Sequence, residues 1–246
     1  FQEIYEDQRH KQALASYRKL QELGRGYISP MPTLLYLETL YRLFQGPIAT
    51  TLENKREPFL PVDPVVPGKN MYPWGVKKEE FESYLAAHPR MRDEIMGSRT
   101  VVRRMTLQNL TRDSNVLTRY PALDTLHPGL KKELRAQLLS LDRSQGAFYA
   151  VPYSVNYAEE LMKAYGLLNE AADALQKDDE EFARYLRNRA RDLLSDDYES
   201  GDAAWVTGHF KNLNAQIGSY ETYDDELYGV KTFFAFSLLA TRQQET

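Results

Sequence analysis

Apolar residues recur with helical spacing in much of the chain. The clearest early case follows Pro32, where one face is apolar up to Phe44 and Gly46-Pro47 ends the pattern. The first two dozen residues predict a mostly polar helix that ends near Gly24. Residues 78–88 predict a short helix buried through Phe81 and Leu85.

Three further helices are predicted in the second half of the chain. One covers residues 128–141, and Ser154 can cap another that continues to Leu175. Asp178 and Glu181 have the spacing of a capping box in front of the third. This last helix carries a series of arginines, which we interpret as a solvated face. They are Arg184, Arg187, Arg189 and Arg191.

Two pairs of segments have the β-branched and aromatic composition of strands. Thr100–Met105 and Ala147–Tyr153 predict a hairpin with a long insertion between its strands. Asn214–Tyr223 and Val230–Leu239 predict a second pair around a polar turn. The predicted fold class is therefore α+β, predominantly helical with a small antiparallel sheet.

Five prolines lie between Pro58 and Pro73. Because proline lacks a backbone N–H, we expect this segment to run extended over a surface. The sequence thus predicts a helical segment at 1–57, a proline-rich extended connection at 58–77, and a mixed helical and strand lobe at 78–246.

The chain has no initial Met and ends directly after an apolar segment, so we expect it to be part of a longer protein, incomplete at its carboxyl end.

Composition excludes several classes of function. Hydrophobic residues make up 42% and charged residues 27% of the 246 residues, which is typical of a globular protein. A net charge of −4 gives no electrostatic footprint for nucleic acid, and no apolar run approaches the length of a membrane span. The absence of cysteine excludes thiol catalysis and disulfides, and leaves a cytoplasmic or periplasmic location open.

A search for catalytic motifs finds no metal site in this chain. None of the four histidines is followed by Glu and no two are four residues apart, so the H-E-x-x-H zinc signature is missing. His88 and His127 each precede a proline, and we interpret both as surface or capping residues. The G-x-S-x-G, P-loop and G-x-G-x-x-G fingerprints are also missing.

Glu221 and Tyr223 form the one pair that suggests substrate binding. If 214–223 is a strand, the two side chains point to the same face because side chains alternate along a strand. A carboxylate and a phenol there can hold a substrate ammonium and a carbonyl, respectively. The alternative is a strand that runs into an acidic, solvated turn, and a pattern this short also fits that interpretation.

The segment Ile217-Gly-Ser-Tyr-Glu-Thr-Tyr-Asp-Asp225, followed by Leu227-Tyr-Gly-Val-Lys231, resembles the I-G-x-x-E-x-Y-x-D stretch of the dipeptidyl peptidase III family (peptidase family M49), particularly its bacterial members. Three shorter segments resemble the family in the same order along the chain. They are Gly68–Pro73 with Glu79–Phe81, Ala150–Ser154 and Asp196–Trp205. Residues 108–145 look like an insertion relative to the family pattern.

The resemblance implies part of a two-lobed zinc metallopeptidase that removes dipeptides from the amino termini of peptides. By this resemblance, Glu221 binds the α-ammonium of the substrate. Tyr223 binds the scissile carbonyl and its developing oxyanion, and is therefore both substrate-binding and catalytic.

The zinc motif of the family lies after the matching stretch. We therefore expect the zinc ligands outside this chain, in a missing carboxyl-terminal portion, and expect this chain alone to be inactive. The alternative is a non-catalytic peptide-binding or scaffolding module that lacks the zinc site.

Overall fold

The computed structural model describes residues 1–9, 31–44, 46–60, 66–141 and 146–240. Helices dominate and the strands form small antiparallel sheets, so the predicted fold class is confirmed. The described helices are α1 (Gln2–Arg9), α2 (Met31–Phe44), α3 (Lys78–Ala87), α4 (Arg92–Ile95), α5 (Leu107–Arg119), α6 (Pro121–Leu126), α7 (Leu130–Leu139), α8 (Tyr153–Asn156), α9 (Ala158–Leu175), α10 (Glu180–Ser195) and α11 (Glu199–Thr207). The strands are β1 (Ile48–Thr50), β2 (Arg56–Pro58), β3 (Thr100–Arg104), β4 (Phe148–Pro152), β5 (Leu213–Glu221) and β6 (Phe233–Ala240).

The strands of the described chain form three two-stranded antiparallel sheets: β1 with β2, β3 with β4, and β5 with β6. Both predicted strand pairs are confirmed, including the hairpin with a long insertion. That insertion contains α5, α6 and α7, of which the sequence predicted only the last. Thr106 caps α5 by accepting a hydrogen bond from the backbone N–H of Asn109.

The predicted helices after Pro32 and at residues 78–88 are confirmed by α2 and α3. Phe81 and Leu85 of α3 are buried as expected. The first predicted helix is observed as α1 over Gln2–Arg9, and its expected end at Gly24 lies outside the described residues.

Two predicted helix caps are wrong. The N-cap of α10 is Asp179, one residue beyond the predicted Asp178, and its carboxylate accepts from the backbone N–H of Phe182. Ser154 does not cap α9, which begins at Ala158. Ser154 lies fully buried in the short helix α8, and its hydroxyl donates a hydrogen bond to the carboxylate of Asp196 at 2.6 Å.

The interpretation of the arginine series as a solvated face is wrong for Arg189. Arg184 and Arg191 are exposed, but Arg189 is only 1% exposed. Its guanidinium pairs with Asp202 at 2.6 Å and with Asp192 at 3.5 Å, and these carboxylates offset the cost of burying the charge. Helix α10 therefore packs on both of its sides, against α9 and against α11.

The proline-rich connection lies partly on the surface, as at Pro58 and Pro67, but residues 68–72 do not run extended over it. Residues 61–65 lie outside the described part, and Lys69–Met71 forms a 3-10 turn. Lys69, Met71 and Tyr72 are all buried. Lys69 binds the carboxylate of Asp224 and Tyr72 binds that of Asp225, both in the turn after β5. The division of the chain at residues 57 and 77 stays a prediction.

The core surrounds the β3–β4 pair and the helices α9 and α10. Tyr185 of α10 donates its hydroxyl to the backbone oxygen of Ala215 at 2.8 Å, which joins this helix to β5. Helix α1 adds Ile4 to the same core. None of the described helices is long and apolar enough to cross a membrane.

Candidate functional site

Strand β5 ends at Glu221, two residues before the predicted end. Tyr223 lies in the turn that follows, so the alternation of strand side chains does not extend to it. Both side chains are exposed, and Tyr223 is 85% exposed. The structure thus places a carboxylate and a phenol two residues apart on the surface, and their assignment to substrate remains a prediction.

A β-bulge lies immediately before Glu221. Ser219 pairs with Phe234 and Glu221 pairs with Phe233, which leaves Tyr220 as the extra residue. Gly218 has a φ of 147°, and a Cβ atom there would lie 2.6 Å from the ring of Tyr198. Only glycine fits this position, which explains the glycine of the Ile217-Gly218 pair.

Residues 222–231, which we call the acidic turn, connect Glu221 to β6. The buried carboxylate of Asp225 organises it by accepting hydrogen bonds at 2.8–3.2 Å from four backbone N–H groups further along the turn. These belong to Leu227, Tyr228, Val230 and Lys231. The hydroxyl of Tyr72 donates to the same carboxylate at 3.0 Å. Because one side chain satisfies so many backbone donors, the turn is held in a single conformation.

Two cations hold the acidic turn beside Tyr223. The carboxylate of Asp224 pairs with Arg9 at 2.8 Å and with Lys69 at 3.0 Å, and Lys69 also donates to the backbone oxygen of Asp224. Burial acts to raise the pKa of Asp224, but the charges of Arg9 and Lys69 outweigh it and leave the pKa below the usual value. The residue next to Tyr223 is thus a fixed anion.

Lys231 anchors the far end of the acidic turn in the protein interior. Its ammonium donates to the backbone oxygens of Ile95 and Gly97 at 2.6 and 2.8 Å, and to the hydroxyl of Thr100 at 2.6 Å. Burial lowers the pKa of Lys231 to about 7, and the nearby charge of Asp225 opposes this shift. The turn is therefore tied to the segment that leads into β3.

The supporting roles of these residues do not follow from the sequence pattern, although Lys69, Asp225 and Lys231 lie in the segments that resemble dipeptidyl peptidase III. The residue type of Asp225 is a sequence signal for its role, because aspartate often accepts hydrogen bonds from the backbone N–H groups two and three residues later in an Asx turn. Arg9 and Lys69 carry none, because they lie 215 and 155 residues from Asp224 along the chain.

A second polar cluster contains Ser154, His127 and Asp196 but lacks the geometry of a catalytic triad. The same nitrogen of His127, Nε2, lies 2.7 Å from the hydroxyl of Ser154, 3.2 Å from the backbone oxygen of Leu194 and 3.8 Å from Asp196. In a triad the serine and the aspartate bind opposite nitrogens. Burial raises the pKa of Asp196 to about 7 and lowers that of His127. These residues fix the end of α10, so His127 packs as a structural residue.

The described residues offer no metal site. Within the described ranges, no three side chains of the His, Cys, Asp or Glu type come together in a group that could hold a metal ion. The expectation that zinc ligands lie outside this chain stays a prediction.

The fold and the candidate site together define an α+β chain in which a carboxylate ends one strand of a two-stranded sheet and a phenol lies on the rigid turn that follows. Two solved structures of dipeptidyl peptidase III are similar to it over 99% of its length. The protein from Caldithrix abyssi gives a TM-score of 0.72 and that from Corallococcus sp. strain EGB gives 0.69, each at 25% sequence identity. The chain thus has the fold of part of a dipeptidyl peptidase III, and these similarities support that family.

The chain spans 37% of each of these two structures. Among curated proteins, Nudix hydrolase 3 from Arabidopsis thaliana is 31% identical over 169 residues, which cover 68% of this chain and 19% of that protein. With so small a share of that protein matched, its name assigns no activity to this chain. No family model matches the sequence.

Proposed function

We propose that this chain is the amino-terminal part of a zinc-dependent exopeptidase that removes dipeptides from the amino termini of peptides, and that it contributes Glu221 and Tyr223 to the substrate site. The observation that carries the proposal is that these two exposed side chains lie at the end of β5 and on the rigid turn after it, within a fold that resembles dipeptidyl peptidase III.

Glu221 binds the α-ammonium of the peptide in this proposal. Its carboxylate is exposed at the end of β5, and no side-chain hydrogen bond or ion pair is found for it within the described ranges. A carboxylate that is not paired within the protein is available to a cationic ligand, and a charge-assisted hydrogen bond selects a free amino terminus over a blocked one.

Tyr223 donates its hydroxyl to the scissile carbonyl and to the oxyanion that develops there. Asp224 and Asp225 on its carboxyl side are both fixed by hydrogen bonds, so the backbone that carries Tyr223 is fixed before substrate arrives. A donor that needs no reorganisation at the moment of reaction is the arrangement that favours stabilisation of a transition state.

The remaining portion of the protein packs, in this proposal, against β6. From its third residue to its carboxyl end, β6 exposes its side chains, and several are apolar. Phe236 is 51% exposed and Leu239 is 62% exposed. The chain corresponds to 37% of the similar structures, so a large portion is available to cover this surface. We propose that this portion lies after Thr246 and carries the zinc ligands.

Metal analysis and hydrolysis of a dipeptidyl-naphthylamide, each performed on this chain and on the complete protein, test the proposal. We expect zinc and activity in the complete protein and neither in the 246-residue chain. A complete sequence without H-E-x-x-H or H-E-x-x-x-H would exclude the enzyme and leave the peptide-binding module as the alternative.

The role of Glu221 is tested in the complete protein by Glu221→Gln, with Glu170→Gln on the exposed surface of α9 as the matched control. We expect the first variant to lose about tenfold or more in affinity for a short peptide with a free amino terminus, and to bind the acetylated peptide unchanged. Equal binding of the free and acetylated peptides by the unmodified protein would remove the proposed role of Glu221.

A further inference from the structure

Five side chains from four segments meet behind the bulge of β5. Two guanidinium groups contact the ring of Tyr198: that of Arg99 lies 3.7 Å and that of Arg189 4.9 Å from the ring centre. Arg189 pairs with Asp202 at 2.6 Å, and Asp202 in turn accepts a hydrogen bond from the hydroxyl of Tyr220. We call this set, Arg99, Arg189, Tyr198, Asp202 and Tyr220, the arginine–tyrosine clamp.

The clamp contacts the three consecutive residues that precede Glu221. The ring of Tyr198 occupies the space where Gly218 lacks a side chain. Arg99 donates to the backbone oxygen of Ser219 at 3.2 Å. Tyr220 is held through its hydroxyl and by an edge-to-face contact with Tyr198, whose ring centre is 5.5 Å away.

The burial of Arg189 constrains the residues around it. Arg189 is buried, and a buried guanidinium destabilises a fold unless its partners are closely placed. One of those partners is itself fixed, since Asp192 accepts from the hydroxyl of Ser200 at 2.7 Å and from the backbone N–H of Gly201 at 2.8 Å. A core apolar residue at 189 would pack α10 without these constraints. The charged cluster specifies one backbone path for residues 218–220.

The path of these residues decides where Glu221 points. A bulge inserts one residue into a strand, and a shift of one residue in register moves each side chain to the opposite face. If Tyr220 paired with β6 as in a regular ladder, the side chain of Glu221 would point to the opposite face of the sheet. The bond between Tyr220 and Asp202 opposes this shift, because it holds the extra residue out of the ladder.

We propose that the arginine–tyrosine clamp is a positioning device for substrate specificity: by fixing the bulge at Tyr220 it directs the carboxylate of Glu221 toward the amino terminus of the peptide. This inference rests on the proposed function of Glu221. Tyr220 is a positioning residue and does not contact the substrate. The segment Asp196–Trp205, which resembles the dipeptidyl peptidase III family, contributes two members of the clamp.

The test is Tyr220→Phe in the complete protein, which removes the hydroxyl and keeps the ring. Zinc is first removed by chelation, so that the peptide is not hydrolysed. Calorimetry with a short peptide in free and acetylated form then gives the ratio of the two affinities, which does not change when a fraction of the protein molecules is unfolded. We expect this ratio to fall about tenfold because the carboxylate is misplaced. Tyr165→Phe, on the exposed side of α9, is the matched control and should leave the ratio unchanged.

A double variant separates positioning from a structural effect. In the Glu221→Gln background, Tyr220→Phe should produce no further change, because its effect passes through the carboxylate. If Tyr220→Phe leaves the ratio unchanged while Glu221→Gln lowers it, the clamp has no positioning role and the proposed function stands. If Glu221→Gln itself leaves the ratio unchanged, both the role of Glu221 and this inference fail.

Discussion

Replacement of Lys231 by methionine tests how the acidic turn is anchored. The ammonium is fully buried, and its pKa of about 7 lies well below the unperturbed value of 10.5. The unfolded protein therefore binds one more proton than the folded protein between these two pH values. The burial penalty is present in full below about pH 7, and it disappears as the pH rises toward 10.5.

The expected effect is large enough to measure. The two pKa values predict that the free energy of unfolding rises by about 2 kcal/mol between about pH 7.5 and about pH 9. Urea unfolding followed by circular dichroism at both pH values gives this difference. Lys231→Met should lose the increase, whereas Lys163→Met, at an exposed position of α9, should retain it.

Comparison with the variant removes the contribution of other titrating groups. Asp196, with a pKa of about 7, completes most of its titration below this pH range and is present in all three proteins. An equal increase in the unmodified protein and in Lys231→Met would refute the reasoning. It would show that Lys231 is already paired or hydrated as a charged group in the folded protein.

Three further substitutions test the packing that surrounds the site, each by urea unfolding. Gly218→Ala forces a side chain into a position with φ of 147° and should destabilise the protein by about 2 kcal/mol or more, whereas Gly166→Ala, in an open helical position, should stabilise it by up to about 1 kcal/mol. Asp179→Ala removes the N-cap of α10 and should cost about 1 kcal/mol, and Asp178→Ala should change stability by less than about 0.5 kcal/mol. Arg189→Ala leaves two carboxylates without their partner and should cost about 3 to 5 kcal/mol, far more than alanine at the exposed arginines of the same helix.

The parts of the fold that could be predicted from sequence are those specified by local pattern. The strands of both long hairpins are rich in β-branched and aromatic residues, and their pairing follows from antiparallel proximity. The sequence pattern also predicts helix α10, but it predicts Asp178 as the N-cap, one residue before the observed Asp179. Asp178 and Asp179 are both competent caps, and only the path of the chain before α10 decides between them.

The burial of charge could not be predicted in the same way. Nothing around Lys69 distinguishes it from an exposed cation in the sequence, because the carboxylate that stabilises it comes from another element. Arg189 has one partner, Asp192, in its own helix, but its closer partner, Asp202, lies in α11. Asp202 follows Arg189 by 13 residues, and Asp224 follows Lys69 by 155. A periodic pattern reports which face of one helix is apolar, and it carries no information on partners of this kind.

The geometry of the candidate site also could not be predicted from the local sequence pattern. The pairing of Glu221 with Tyr223 on one face assumes a continuous strand, yet a bulge precedes Glu221 and Tyr223 lies in a turn. Tyr223 is 85% exposed, so its hydroxyl faces water in this chain. A hydrogen-bond donor stabilises a developing charge most effectively where water is excluded. The contribution proposed for Tyr223 to a transition state therefore depends on burial by the further portion of the protein that we propose, while the contribution proposed for Glu221 to the choice of substrate needs only a fixed direction.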